Sequence, residues 1–276
     1  MPAKTIAKRR ALRWALLCTL LLRAAIGGAA HAQVLDDIQA RGTLRVATSL
    51  DYRPFSYRMA GRRVGIDIEL ARALASTLGV RVEWVAFTWA ELETLLTQGA
   101  FDIAMSGVSI TPERMQIGFF SNPYFETGKA LLTRCDTTRE LRSLADVDRP
   151  DVKIIVNPGG SNQRFVAANI HSAHVQVHTD NLSIFDALAT GAADVMITDA
   201  IEAQIEAAAD DRLCAPVLTS FLEPILKAWF IPRDDEWQRT VNEALATLER
   251  SGALAAAVNQ YVPAEPNSYA PAGSHQ

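Results

Sequence analysis

Short apolar runs alternate with longer amphipathic stretches along the first half of the chain. The run 44–48 (LRVAT) is apolar and β-branched, and it predicts a strand that ends before the proline of 51–55 (DYRPF). Apolar residues then recur at helical spacing over 66–78, and Gly79 stops this helix. A strand, a helix and another strand follow at 80–85, 89–98 and 101–105. Strands that alternate with helices predict a largely parallel sheet covered on both faces.

The same alternation restarts in the second half of the chain, after residue 150. It predicts strands at 152–156, 175–178, 194–198 and 229–232, and helices from Gln163, over 184–189 and over 236–250. The tail 263–276 is rich in Pro, Ser, Gly and Ala, which is typical of disorder. We therefore expect an α/β protein of two lobes, with 33–133 and 228–262 in lobe 1 and 134–227 in lobe 2.

The ends of the predicted strands indicate where a ligand binds. In open α/β sheets, ligands bind beyond the carboxyl ends of the strands. We therefore expect the chemistry to lie in the loops after Thr48, Met105, Val156 and Thr198.

The first 32 residues have the pattern of a secretory signal peptide. A basic front that includes Arg9 and Arg10 precedes the apolar run 14–22, and Ala-His-Ala at 30–32 fits a cleavage site. A membrane anchor is the alternative, but the run is short and Arg23 ends it. Loss of the six basic residues in this segment changes the net charge from −4 to −10, which argues against nucleic acid as a partner. We expect a periplasmic protein without a membrane span.

Removal of the signal leaves two cysteines, Cys135 and Cys214. An even number of cysteines in an oxidising compartment predicts a disulfide, and two free buried thiols are the alternative. Two cysteines without clustered histidines do not indicate a metal site. We expect no metal and no organic cofactor.

Several longer motifs resemble a known family. LRVATSLDYRPFSYR, GIDIELARALASTLG, FDIAMSGVSITPERMQIGFFSNPYFETGK and TDAIEA are similar to the amino-acid-type (family 3) periplasmic solute-binding proteins, over about 35–262. The resemblance implies the type II periplasmic binding protein fold, in which two lobes close over a small carboxylate or amino-acid ligand. It also implies an ABC transporter permease as a candidate partner.

A second group of motifs resembles one branch of that family, the periplasmic cyclohexadienyl dehydratases. These motifs are VNPGGSNQRFVAANI, VHTDNLSIFDAL, DVMITDAIEA, LCAP and KAWFIPRD. Enzymes of this branch convert prephenate to phenylpyruvate and arogenate to phenylalanine. The resemblance implies a dehydratase, and a non-catalytic solute-binding protein is the alternative.

Candidate ligand-binding residues lie in both lobes. The planar fork of Arg114 suits a carboxylate, and the resemblance gives it that role, with Ser106, Ser109 and Thr111 just upstream as further donors. The loop 157–162, with Gly160, Ser161 and Asn162, joins a strand to a helix and can direct N–H groups at an anion, although a plain turn has the same composition.

Other candidates depend on how the lobes meet. The resemblance assigns Asp199 to a ligand amino group, and helix N-capping is an alternative use of it. Tyr52 and Trp89 are candidate walls for an apolar ring. Lys129 and Lys227 can meet a second carboxylate, or they are solvated like most lysines.

The candidate general acid is the point on which catalysis depends. The resemblance implies a glutamate at position 163, where this chain has Gln163, and an amide cannot act as a general acid. Glu202, three residues after Asp199, is the alternative acid, provided that helix geometry does not point it away. The sequence leaves open whether the protein is active, and whether it prefers prephenate or arogenate.

Overall fold

The computed structural model describes residues 33–216 and 222–262. The predicted signal peptide (1–32) and the predicted disordered tail (263–276) lie outside the described residues. Among the described residues, no helix is both long and apolar enough to cross a membrane.

The first lobe is a sheet with helices packed on it. Its strands are β1 (Thr43–Thr48), β5 (Arg81–Ala86), β6 (Ile103–Ala104), β7 (Phe119–Phe120) and β14 (Phe230–Ile231), in the order β5-β1-β6-β14-β7. The helices are α1 (Gln33–Arg41), α2 (Ile66–Thr77), α3 (Leu92–Thr97), α4 (Pro112–Met115), α9 (Asp235–Arg250) and α10 (Ala253–Tyr261). β1 pairs in parallel with β5 and β6, because a helix carries the chain back between successive strands. A small hairpin sheet of β2 (Asp51–Tyr52), β3 (Ser56–Met59) and β4 (Arg62–Val64) extends this lobe.

Helix α2 shows how the local pattern produces packing in this lobe. Leu70 and Leu74 lie one turn apart on the same side of the helix, and both are buried in the main core with Leu44 and Val46 of β1. Gly65 precedes the helix with φ 126°, and a Cβ there would lie 2.3 Å from the carbonyl oxygen of Phe55. Glycine is therefore required where the helix begins.

The second lobe repeats the arrangement around a second sheet. Its strands are β8 (Phe125–Arg134), β9 (Lys153–Val156), β10 (His174–Val177), β11 (Val195–Asp199) and β12 (Leu213–Cys214), in the order β10-β9-β11-β8-β12, and β13 (Pro224–Lys227) also pairs with β8. The helices are α5 (Leu144–Val147), α6 (Ser161–Asn169), α7 (Ile184–Ala189) and α8 (Ala200–Ala209). β9, β10 and β11 are parallel, whereas β8, β12 and β13 add antiparallel pairs. The two-lobed α/β fold is confirmed, and the main sheet of each lobe combines parallel and antiparallel pairs.

Strand β8 corrects the expected boundary between the lobes. The sequence placed 125–133 in lobe 1, but β8 is antiparallel to β11 along Lys129–Asp199 and lies inside the second sheet. Long-range pairing decides this membership, because the strands that pair with β8 are 60 or more residues away in the chain. The chain therefore enters lobe 2 before Phe125 and returns with β14.

The predicted disulfide between Cys135 and Cys214 is confirmed. It joins the end of β8 to β12, across a sequence separation of 79 residues, and both cysteines are exposed. In the chain-entropy account, closing a loop of this length removes freedom from the unfolded chain and is worth about 4 kcal/mol.

Reduction of this disulfide is therefore expected to lower the free energy of unfolding by about 4 kcal/mol. Urea denaturation with and without dithiothreitol measures the change. The double variant Cys135→Ser/Cys214→Ser is the control, and its midpoint should not respond to the reductant. An unchanged midpoint for the reduced wild-type protein would contradict the prediction.

Candidate functional site

A cleft with an empty volume of about 310 Å³, partly open to solvent, lies between the two lobes and is called the cavity below. Its walls come from the loops that follow β1, β6, β9 and β11, as expected for ligands at the carboxyl ends of strands. The lining residues are Tyr52, Trp89, Gly107, Ser109, Asn157, Gly160, Ser161, Asn162, Asn181, Asp199, Glu202 and Lys227. Among residues 33–216 and 222–262, no group of three or more His, Cys, Asp or Glu side chains is arranged to hold a metal ion.

Asp199 is the centre of a buried charge cluster in this cavity. Its carboxylate accepts from Lys129 Nζ at 2.7 Å, from Lys227 Nζ at 2.6 Å and from the Tyr52 hydroxyl at 2.5 Å. Burial alone would raise the pKa of Asp199, but the two ammonium groups outweigh it and hold that pKa well below its usual range. Asp199 occupies the N-cap position of α8 without a capping hydrogen bond from its side chain. The hydrogen bonds of its side chain are therefore made to the two lysines and Tyr52, and not to the helix.

The two lysines of this cluster are buried, not solvated. Each has 1% of its side chain exposed. Burial lowers the pKa of Lys227 to about 8, although the charge of Asp199 opposes this shift. Lys227 also donates to Ser109 Oγ at 2.9 Å, and it lies 5.0 Å from the centre of the Tyr52 ring. It therefore links strand β13 of lobe 2 to Ser109 and Tyr52 of lobe 1.

Glu202 lies in the first turn of α8 and faces the same cavity as Asp199. Residues three apart share a helix face, so the structure resolves the orientation that the sequence left open. Its side chain accepts a hydrogen bond from the Thr198 hydroxyl at Oε2. Burial, and then the nearby negative charge of Asp199, raise the pKa of Glu202 to about 8. Two carboxyl groups in one cavity thus have opposite states at neutral pH, with Asp199 ionised and Glu202 protonated.

Arg114 is buried beside the cavity and does not line it. Its Nη1 donates to Ser109 O at 3.0 Å and its Nε to Glu93 Oε1 at 3.3 Å, while Nη2 has no partner among the described residues. Burial and the nearby charge of Arg164 lower its pKa to about 10, so it is charged at neutral pH. Buried N–H groups in proteins normally have a hydrogen-bond partner, so the unpaired Nη2 next to the cavity favours Arg114 as a donor to a ligand oxygen.

Two of the hydroxyls predicted to bind ligand have other partners in the structure. Ser106 Oγ lies 2.8 Å from Ser49 Oγ and 2.5 Å from Ser56 Oγ, in a buried cluster beneath the cavity loops. Thr111 is the N-cap of α4, where its Oγ1 accepts from Arg114 N at 3.4 Å. Of the three predicted hydroxyls, only Ser109 lines the cavity.

Gln163 is not among the residues that line the cavity. Its Oε1 accepts from Gly159 N at 2.7 Å, and it therefore braces the glycine-rich loop. Gly159 has φ 76°, and a Cβ there would lie 2.4 Å from Cα of Ala90 in the other lobe. Because the helix begins at Ser161, Gln163 points toward the loop, and the role of position 163 in proton donation stays a prediction.

Aromatic rings form one wall of the cavity. Tyr52 and Trp89 meet edge to face with ring centres 5.9 Å apart, and Trp89 Nε1 donates to Asp51 Oδ1 at 3.2 Å. Phe55 lies 5.1 Å from Tyr52 but is fully buried behind it, as part of the core.

Sequence reasoning missed some lining residues. Asn181 reaches across the cleft and donates to Asp51 O at 3.2 Å, and only its place after a strand end could have indicated it. Gly107 has φ 63°, and a Cβ there would lie 2.4 Å from the Phe55 ring. Its N–H donates to the buried Asp67, a contact between residues 40 positions apart.

The fold and the cleft agree with comparisons of the sequence. The chain belongs to the bacterial extracellular solute-binding proteins, family 3, which match it over residues 44–264. Within the family it is a homologue of cyclohexadienyl dehydratase. It is 41% identical to that enzyme from Pseudomonas aeruginosa over 241 residues, which cover 87% of this chain and 90% of the enzyme.

Solved structures similar to this chain include both an amino-acid-binding protein and a dehydratase. An ancestral amino-acid-binding protein, described as a precursor of cyclohexadienyl dehydratase, is 34% identical with a TM-score of 0.78, and the match covers 83% of this chain and all of that one. An ancestral cyclohexadienyl dehydratase variant is 41% identical with a TM-score of 0.52, covering 86% of this chain and 98% of that one. The chain is thus similar to a binder and to an enzyme on the same fold.

Proposed function

We propose that this protein is a cyclohexadienyl dehydratase that converts prephenate to phenylpyruvate, and arogenate to phenylalanine. The observation that carries the proposal is Glu202, a buried carboxyl group that lines the cavity and has a pKa of about 8. A general acid works best when its pKa lies near the operating pH. The 41% identity to an enzyme of this name supports the same conclusion.

The reaction needs one proton and no oxidant. The carboxylate on the ring carbon leaves as CO₂, and its C–C bonding electrons enter the ring. The C–O bond at the opposite carbon breaks, and the oxygen takes the proton of Glu202 and leaves as water. The ring becomes aromatic, and Glu202 regains its proton from solvent. The chain supplies the acid, the orientation of the substrate and the exclusion of water.

Cationic groups around the cavity suit a substrate with two carboxylates. Arg114 has a free buried Nη2, and Lys129 and Lys227 contribute positive charge that Asp199 only partly balances. In a water-poor cavity such charges attract anions more strongly than they do in solvent. We assign the carboxylates to Arg114 and Lys227, and the ring to the wall of Tyr52 and Trp89, while Lys129 adds positive charge from behind Asp199.

Turnover of prephenate tests the proposed function, and its pH dependence tests the assigned acid. The purified protein is expected to form phenylpyruvate well above the spontaneous rate, with kcat level up to about pH 7. Above a pKa of about 8, kcat should fall tenfold per pH unit, because only the protonated form of Glu202 donates. Absorbance of phenylpyruvate across pH 6–10 measures this. A folded sample without turnover above the spontaneous rate would refute the function.

Exchange of Gln163 for glutamate tests whether position 163 braces the glycine-rich loop or is the site of the acid. Gln163→Glu is expected to change kcat by less than about threefold, because the side chain braces Gly159 and does not line the cavity. Steady-state turnover of prephenate measures the effect, with Glu202 intact as the acid in both proteins. A rise by orders of magnitude would restore position 163 as the site of the acid.

A solute-binding protein of a transporter is the second candidate function, favoured by the likeness to an amino-acid-binding ancestor. The cluster around Asp199 argues against recognition of a ligand ammonium group by that carboxylate, because two lysines already neutralise it, and it therefore favours prephenate over arogenate as well as over a simple amino acid. Absence of prephenate turnover, together with thermal stabilisation by one amino acid, would favour this function instead. We further propose that the protein acts in the periplasm after removal of residues 1–32.

A further inference from the structure

The two carboxyl oxygens of Glu202 have different surroundings. Oε2 is hydrogen-bonded to Thr198 Oγ1, whereas Oε1 has no hydrogen-bond partner among the described residues. A carboxylic acid carries its proton on one oxygen at a time. Only a proton on the oxygen that is free toward the cavity can pass to a bound ligand, so its position decides whether the acid can act.

A chain of hydrogen bonds leads from Lys129 to Glu202, and the donor and acceptor of each bond are fixed by the one before it. An ammonium group only donates, and Lys129 Nζ lies within hydrogen-bond distance of Asn162 Oδ1. The amide of Asn162 is therefore oriented with its oxygen toward the lysine and its NH₂ group on the opposite side. Asn162 is 8% exposed and thus has little water to compete for these bonds.

The NH₂ group of Asn162 determines which hydrogen bonds Thr198 accepts and donates. It donates to Asn157 Oδ1 at 3.2 Å and to Thr198 Oγ1 at 3.1 Å, which uses both of its hydrogens. The hydroxyl of Thr198 thus accepts from the amide, and its own proton is free for one further partner. Glu202 Oε2 is the acceptor within reach.

We infer that Thr198 is a positioning residue that donates to Oε2 of Glu202 and thereby keeps the acid proton on Oε1, the oxygen available to the cavity. The inference rests on the proposed function, in which Glu202 is the general acid. If the amide of Asn162 were reversed, its oxygen would take the hydroxyl proton of Thr198. Glu202 would then hold its proton against Thr198 and away from the ligand.

The same hydrogen bond has a second effect on the acid. Donation to Oε2 favours the ionised form of Glu202 and opposes the effect of burial on its pKa. Thr198 therefore brings the pKa of the acid closer to neutral pH, where a general acid is most effective. Loss of the Thr198 hydroxyl should therefore have two effects: the proton of Glu202 is no longer kept on Oε1, and the pKa of Glu202 rises.

Two substitutions at position 198 separate the hydroxyl from the shape of the side chain. Thr198→Val is nearly isosteric without the hydroxyl, and Thr198→Ser keeps the hydroxyl without the methyl group. Thr198→Val is expected to lower kcat for prephenate about 10- to 100-fold with KM nearly unchanged, and Thr198→Ser should stay within about threefold of wild type. Thr133→Val is the control, because Thr133 is a buried threonine of the neighbouring strand that donates to Cys214 O and does not line the cavity.

A titration of Glu202 by ¹³C NMR, assigned by loss of its resonance in Glu202→Gln, gives a readout that needs no turnover. The pKa of Glu202 should rise in Thr198→Val and stay at the wild-type value in Thr198→Ser and Thr133→Val. Wild-type kcat in Thr198→Val, or equal losses in the Val and Ser variants, would overturn the inference. If wild type itself gives no turnover, the proposed function fails, and an unchanged pKa in Thr198→Val would then overturn the positioning role separately.

Discussion

Glu202→Gln is expected to lower kcat for prephenate by about 10²- to 10⁴-fold, the usual contribution of a positioned general acid. Glutamine keeps the size of the side chain and can accept from Thr198, but it has no acidic proton for the departing oxygen. Because we assign the carboxylates to Arg114 and Lys227, we expect KM to change by less than about threefold. Steady-state kinetics at pH 7 measure both constants.

Glu206→Gln is the matched control for this prediction. Glu206 lies one turn further along α8, its pKa is also raised by burial, and it does not line the cavity. Its amide variant should keep the kcat of wild type. Wild-type turnover in Glu202→Gln would remove Glu202 from the mechanism, and the loss of the pH dependence above pH 8 in a slow variant would support its role.

Asp199→Asn is expected to lower the free energy of unfolding by about 3–5 kcal/mol at pH 7, because it leaves the buried Lys129 and Lys227 without their shared counter-charge. Asparagine has nearly the same shape, so a packing defect does not account for the loss. Urea denaturation followed by circular dichroism measures the change. Substrate affinity should fall as well, since the lysines would no longer be held in place.

The pH dependence of this variant gives an independent check. A lysine in the unfolded chain has a pKa near 10.4, and burial already lowers the pKa of Lys227 to about 8 in the folded protein. Without Asp199 the folded-state pKa falls further, so the unfolded state binds more protons over this range. Stability must then rise with pH, and the deficit of the variant should shrink between pH 7 and 9.

Asp136→Asn provides the control for the loss of a buried counter-charge. Asp136 pairs with Arg134 on the surface with 82% of its side chain exposed, where such pairs contribute little. Its unfolding midpoint should match that of wild type. An equally small effect of Asp199→Asn would mean that the lysines are not charged together in the folded protein.

The regular alternation of strands and helices was predictable because apolar periodicity is local. The sequence places the helix Ile184–Ala189 at the bounds the structure has, and the strands near β1, β5, β9 and β10 within a few residues. It missed β8, where Glu126, Gly128 and Lys129 interrupt the apolar pattern. That strand is stabilised by pairing with β11, β12 and β13, which no local pattern records.

The candidate site was predictable in part, for a related reason. Charged and polar residues at strand ends indicated Ser109, Asn162, Asp199 and Lys227, and the structure brings all four to the cavity. The side chains of Ser106, Thr111 and Gln163 can form hydrogen bonds and lie near the candidate residues in the sequence. In the structure their hydrogen bonds are made to protein groups outside the cavity. Which way a side chain turns depends on where its helix begins and on what packs against it.

The sequence by itself determined a two-lobed α/β protein, a pair of cysteines that forms a disulfide, and a set of basic, polar and acidic candidate residues near strand ends. The tertiary structure alone decided which acid is neutral. Asp199 and Glu202 are three residues apart at the start of one helix, yet Lys129 and Lys227 come from distant strands and, of these two carboxyl groups, contact only Asp199. Charge partners and burial set a pKa, and both are properties of the folded chain.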